Sequence, residues 1–125
     1  MARLAVAVVA VLVAAWFGVL ERDTRLGAEG TGAAQAREFE RADDAFRDAR
    51  LLNPDSTPDL RRAFVYQGSG RANEAVAVLE DVVRREPDNL DAWGVLYAFT
   101  RDRDPAEARR ALAERERLDP LGAAR

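Results

Sequence analysis

Residues Glu74–Pro87 read EAVAVLEDVVRREP. Ala75 and Leu79 stand four apart, Val82 follows after three, and Pro87 closes the segment. Apolar residues at three- and four-residue spacing form a stripe on one face of an α-helix. A proline ends such a helix because it lacks the backbone donor and clashes with the preceding turn. The same frame recurs 33 residues later as Ala108, Leu112 and Pro120, and 33 residues earlier as Ala42, Phe46, Ala49 and Pro54. A fixed period of this size marks stacked repeat architectures, in which each unit buries its apolar face against a neighbour.

The segments between these helices predict partner helices. Thr57-Pro58-Asp59 opens one, with proline tolerated in the first turn, and Leu60, Ala63, Phe64 and Gln67 face one way along it. Gly68-Ser69-Gly70 breaks the chain, and the next helix runs from about Ala72 to Arg85 with Ala75, Val76, Leu79, Val82 and Val83 turned inward. Glu86-Pro87-Asp88-Asn89 is a turn. Trp93, Leu96, Tyr97 and Thr100 then take the places of Leu60, Ala63, Phe64 and Gln67, each 33 residues on. After Arg101-Asp102-Arg103, Asp104 is a good N-cap and Pro105 a good first helical residue. Ala108, Ala111, Leu112 and Leu118 face inward along the last helix. Upstream, Phe39, Ala42, Phe46 and Ala49 give a stripe over residues 34–52 that ends at Asn53-Pro54-Asp55.

Paired helices, Trp93-x-x-Leu96, alanine followed four residues later by a large apolar residue, and a closing proline resemble the tetratricopeptide repeat. The packing signature falls on Ala42, Phe46, Ala49 and Pro54, on Ala75, Leu79, Val82 and Pro87, and on Trp93, Leu96, Ala108, Leu112 and Pro120. The resemblance implies an all-α solenoid of about two and a half helical hairpins, the segment 34–52 being a second helix whose first helix is missing. The departures are a period one residue short of the usual 34, Phe64 and Tyr97 where a small residue is expected, and Arg115 in place of the second small residue of the last copy. An unrelated bundle of helical hairpins is the competing reading. In the family the first helices of the hairpins line a concave groove for a protein or peptide segment. Carried over by position, that groove falls on Arg61, Arg62, Val65, Ala98 and Arg101. Arginines there suit an acidic peptide or a C-terminal carboxylate, or they are a solvated face in a chain whose only base is arginine.

Residues 4–20 read LAVAVVAVLVAAWFGVL, flanked by Arg3 and by Glu21-Arg22-Asp23. At ~1.5 Å per residue the run makes roughly 25 Å of helix, at the short edge of a bilayer span. A single membrane anchor over 1–20, a cleaved signal peptide and a buried core helix all fit this run. The anchor reading predicts a single-pass protein of the cell membrane with its repeat domain outside the cytoplasm; the signal reading predicts secretion. Gly27, Gly30 and Gly32 make 21–33 a flexible linker. The repeat domain is expected over 34–121, followed by a short tail at 122–125.

Composition excludes much chemistry. The 125 residues contain no Cys, no His and no Lys. This removes disulfides, thiolate and imidazole catalysis, Cys- or His-ligated zinc, Schiff bases and P-loop lysines. The formal net charge of −3 carries no basic stripe for nucleic acid. Asp102, Asp104 and Glu107 read as a turn and a helix start, where acids favour the macrodipole. No catalytic, cofactor or metal site is expected.

The functional expectation is a membrane-tethered adaptor at the cell envelope that binds a protein or peptide without catalysis, with a second copy of the chain as a further candidate partner near Phe39 and Phe46. The alternative is an accessory subunit of an envelope system for polysaccharide or cytochrome assembly. A stack ending at both sides also predicts that truncating Leu79 costs more than truncating Phe46 or Leu112.

Overall fold

Alternating apolar stripes and breakers resolve into helices joined by tight turns. The computed structural model describes residue 18, residues 21–52 and residues 55–122. The described part of α1 runs over 21–35; then come α2 (Phe39–Leu52), α3 (Thr57–Gly68), α4 (Ala72–Arg85), α5 (Leu90–Thr100) and α6 (Pro105–Leu118). All regular structure among the described residues is helical. The chain divides into two compact units, Met1–Pro54 and Asp55–Arg125. The division falls inside the stretch 34–121 read from sequence as one repeat domain.

In the first unit α1 and α2 form a helical hairpin. The expected linker at 21–33 is corrected: those residues are helical, glycines included. Each glycine costs a helix about 1 kcal/mol relative to alanine, but tertiary packing outweighs propensity, and here the packing needs a glycine. A Cβ built on Gly30 would lie 2.7 Å from Cε1 of Phe46, so the backbone of α1 meets the ring directly. Phe46 is only 2% exposed, and Ala33, Ala42, Ala45 and Ala49 are buried with it. Arg41 of α2 reaches Glu29 of α1 at 3.0 Å and Glu38 at 3.1 Å. Its hydrogen bond to Glu29, with that to Glu38, holds the guanidinium above its ordinary pKa.

The α1–α2 turn is a Schellman motif. The amide of Glu38 donates to Ala33 O and that of Arg37 to Ala34 O, with Arg37 left-handed at φ 62°. The α3–α4 turn repeats it 33 residues on: Arg71 N donates to Tyr66 O, Gly70 N donates to Gln67 O, and Gly70 has φ 80°. The helix-pair register therefore extends upstream of residue 34. Gly30 takes the place of Ala63 and Leu96, and α1 supplies the first helix that the sequence reading counted as missing.

A second correction concerns the membrane. Among the described residues no helix is long and apolar enough to cross one. Helices α2–α6 run 11 to 14 residues, against the ~20 apolar residues a span requires, and α1 carries Arg22, Asp23, Arg25 and Glu29. The single transmembrane helix ahead of the repeats, and the single-pass cell-membrane placement built on it, are not supported. The run 4–20 lies outside the described residues apart from Gly18.

The second unit holds two helical hairpins. Helix α3 packs on α4, α4 on α5, and α5 on α6. Their shared core is Ala63, Leu79, Val82, Val83, Ala92, Trp93, Leu96 and Ala111. Thr100, also buried, satisfies its hydroxyl by donating to Leu96 O at 2.7 Å. Trp93 donates its indole N–H to Pro87 O at 2.8 Å, so the inter-repeat turn is tied to the first helix that follows it.

Polar links reinforce the hairpins. Asp59, buried in the first turn of α3, accepts from Arg85 of α4 at 2.6 Å and lies 3.4 Å from Arg62. Burial lowers the Arg85 pKa, but hydrogen bonds to Asp59 and Asp81 outweigh it and the net direction is up. The N-cap residues of the two first helices, Ser56 and Asn89, stand 33 apart in sequence and meet in space: Asn89 Nδ2 donates to Ser56 Oγ at 2.7 Å. Asn89 Oδ1 also accepts from Ala92 N at 2.9 Å, capping α5. Asp104 caps α6 by accepting from the Ala106 and Glu107 amides.

Candidate binding cleft

On α5, Asp91, Gly94, Val95 and Ala98 are spaced i, i+3, i+4 and i+7 and share one helical face. The small residues Gly94 and Ala98 leave a hollow along that face. Phe64 of α3 walls it, with Phe99 beside it; the two rings meet edge to face with centroids 5.2 Å apart. Leu90 of α5 and Arg115 of α6 complete a cleft of about 420 Å³. Phe64 is 54% exposed, one of the few large apolar side chains left in solvent among the described residues.

The charges in this cleft are one carboxylate, Asp91, and one guanidinium, Arg115. Among the described residues neither makes an ion pair. Arg115 occupies the place of Val82, 33 residues earlier. Val82 is fully buried in the core whereas Arg115 is exposed. The last helix thus presents charge where the preceding repeat presents a packing surface.

Of the groove residues nominated from sequence, Ala98 lines the cleft. Arg61 is exposed on α3 and is not part of the lining. Arg62 is turned toward Asp59 and Tyr66, donating to the Tyr66 hydroxyl at 3.3 Å. Val65 is buried, so its side chain is not presented to a ligand. Arg101 is exposed and lies 3.4 Å from Asp102. Sequence reasoning missed Phe64, Val95, Phe99, Asp91 and Arg115. Phe64 was assigned to the inward face, and the signal that could have placed it was the departure from the repeat pattern, a large aromatic where a small residue is expected.

The packing positions are distributed as follows. Ala42, Phe46, Ala49, Ala75, Leu79, Val82, Trp93, Leu96 and Ala108 are buried. Leu112 is half-buried and Pro87 and Pro120 are exposed. Pro54 lies outside the described residues. Phe39 is half-buried, while Phe46 is covered by α1 and is not an open face for a partner.

Elsewhere, Arg110 lies over the Trp93 ring at 5.2 Å. Its hydrogen bond to Glu107 holds it above its ordinary pKa, against burial, which lowers it. Arg71 lies over the Tyr66 ring at 4.5 Å. These contacts cover aromatic faces with fixed cations. Among the described residues no cluster of three or more acidic side chains could hold a metal ion. Neither the family models nor the curated proteins compared with the chain match it.

Proposed function

We propose that the chain is a protein-binding module of tetratricopeptide-like helical repeats, that it binds through the cleft between α3, α5 and α6, and that it does no catalysis. The observation that carries this reading is the combination of repeat register and cleft. Three helical hairpins share a 33-residue frame, and the cleft opens along the first helices of the second and third. In tetratricopeptide arrays first helices form the recognition surface. A half-exposed aromatic anchor beside small residues is also the kind of centre on which binding energy concentrates.

The test is site-directed photo-crosslinking of the full chain in cells. A photo-reactive residue at Ala98 should capture protein. The same residue at Ala113, exposed on α6 away from the cleft, should not. Phe64→Asp should abolish capture at Ala98. Equal capture at both positions, or capture indifferent to Phe64→Asp, would sink the reading.

A further inference from the structure

We propose that the partner taken by this cleft is a second copy of the chain, docked about a two-fold axis; the inference rests on the reading of the cleft as a protein-binding site. A two-fold interface uses one surface patch twice, so the patch must carry both halves of every contact. This cleft does so in shape and in charge. Phe64 projects into solvent while Gly94 and Ala98 leave a hollow on the facing helix. A Cβ on Gly94 would stand 3.9 Å from Arg115 Nε, an ordinary contact distance, so the Arg115 side chain borders the hollow at Gly94. Phe64 of each copy enters the hollow of the other.

The charges follow the same rule. Asp91 and Arg115 both line the cleft, and among the described residues neither has an ion-pair partner. Most other arginines of the second unit are paired within the chain, as Arg62, Arg71, Arg84, Arg85, Arg101, Arg110 and Arg117 are. One acid and one base on one patch give it no net charge with which to select an acidic or a basic foreign segment. They do form two symmetry-related Asp91–Arg115 pairs when the patch meets itself.

The experiment uses the purified full chain with the photo-reactive residue at Ala98. Irradiation should give a covalent adduct of two chains. Asp91→Arg and Arg115→Asp each set like charges across the axis and should lower the adduct yield by about tenfold or more. The double variant D91R/R115D restores opposite charges and should restore the adduct. If Asp91→Arg loses helicity, since it reverses a charge in the first turn of α5, Arg115→Asp and the double variant carry the comparison. An adduct of equal yield in all variants, or no chain–chain adduct while Ala98 still captures a different protein in cells, overturns the second-copy inference. The latter result leaves the protein-binding reading standing, whereas loss of all capture at Ala98 removes both.

Discussion

Replacing Gly30 and Gly32 by alanine, one at a time, should stabilise the protein at Gly32 and fail to stabilise it at Gly30, although the two lie two residues apart on α1. At Gly32 a Cβ would meet nothing within 4 Å. Alanine there should follow helix propensity alone and stabilise by about 1 kcal/mol. At Gly30 the same Cβ would stand 2.7, 2.8 and 2.9 Å from three ring carbons of Phe46. Carbon atoms settle at about 3.5–4.0 Å, so the ring would have to retreat by most of an ångström. Phe46 is 2% exposed, so a shift of its ring presses on the side chains buried with it. Overpacking of this kind costs ~1–3 kcal/mol, which cancels or exceeds the propensity gain. The difference between the two variants is the sharper quantity, about 1–3 kcal/mol. Urea unfolding of the full chain followed by far-UV circular dichroism measures it. Phe46→Leu in the Gly30→Ala background should recover part of the loss, and a double-mutant cycle gives the coupling. Equal stabilisation by both alanines, with no coupling to residue 46, would show that α1 does not pack on Phe46 through Gly30.

Other perturbations probe the repeat frame. Arg37→Gly should raise the melting temperature, because a left-handed non-glycine costs ~1–2 kcal/mol and glycine returns ~0.4–1 kcal/mol of that through unfolded-state entropy. Gly70→Ala, at φ 80° with open space around its Cβ, should lower the melting temperature by a purely backbone effect. Leu79→Ala should cost ~2–5 kcal/mol in chemical denaturation, and Leu112→Ala, half-exposed at the equivalent place, clearly less; equal losses would mean α6 is covered. Phe46→Ala should cost as much as Leu79→Ala, since α1 buries it. The Glu74 carboxyl sits below its ordinary pKa through its own backbone amide and the hydrogen bond from Arg71. A depressed folded-state pKa contributes stability above the unfolded value of about 4.3, lost as pH falls through the folded one. Glu74→Gln should therefore flatten a small part of the acid limb of a stability–pH curve and leave neutral pH nearly unchanged.

Much of the second unit was legible in the chain itself. Ala75, Leu79 and Val82 announce their face by helical spacing, and Asp104-Pro105 announces a helix start, because period and cap chemistry are local properties. Helix α1 was not legible for the same reason: Gly27, Gly30 and Gly32 argue locally for a linker, and only the Phe46 ring, contributed from another helix, makes a glycine at position 30 favourable. The apolar run at 4–20 suggested a span, yet no described helix has the length or composition of one. At the candidate cleft, Ala98 was reached through repeat position, but the exposure of Phe64 depends on how α3 is rotated against α5, which periodicity of one helix does not specify.

By itself, then, the sequence determined the helix-pair period, the polar and apolar faces of α2, α4, α5 and α6, and the absence of thiol, imidazole and lysine chemistry; on α3 the expected inward residues Phe64 and Gln67 are exposed and Val65 and Tyr66 are buried instead. The tertiary structure decided that α1 completes a third hairpin, that Arg62 is drawn into an ion pair with buried Asp59, and that Phe64 with Asp91 and Arg115 frames a cleft. Spacing along one chain segment reports which side chains share a face. Which of them are covered depends on what a distant segment brings against that face, and in this protein that segment is a glycine in one unit and a half-exposed phenylalanine in the other.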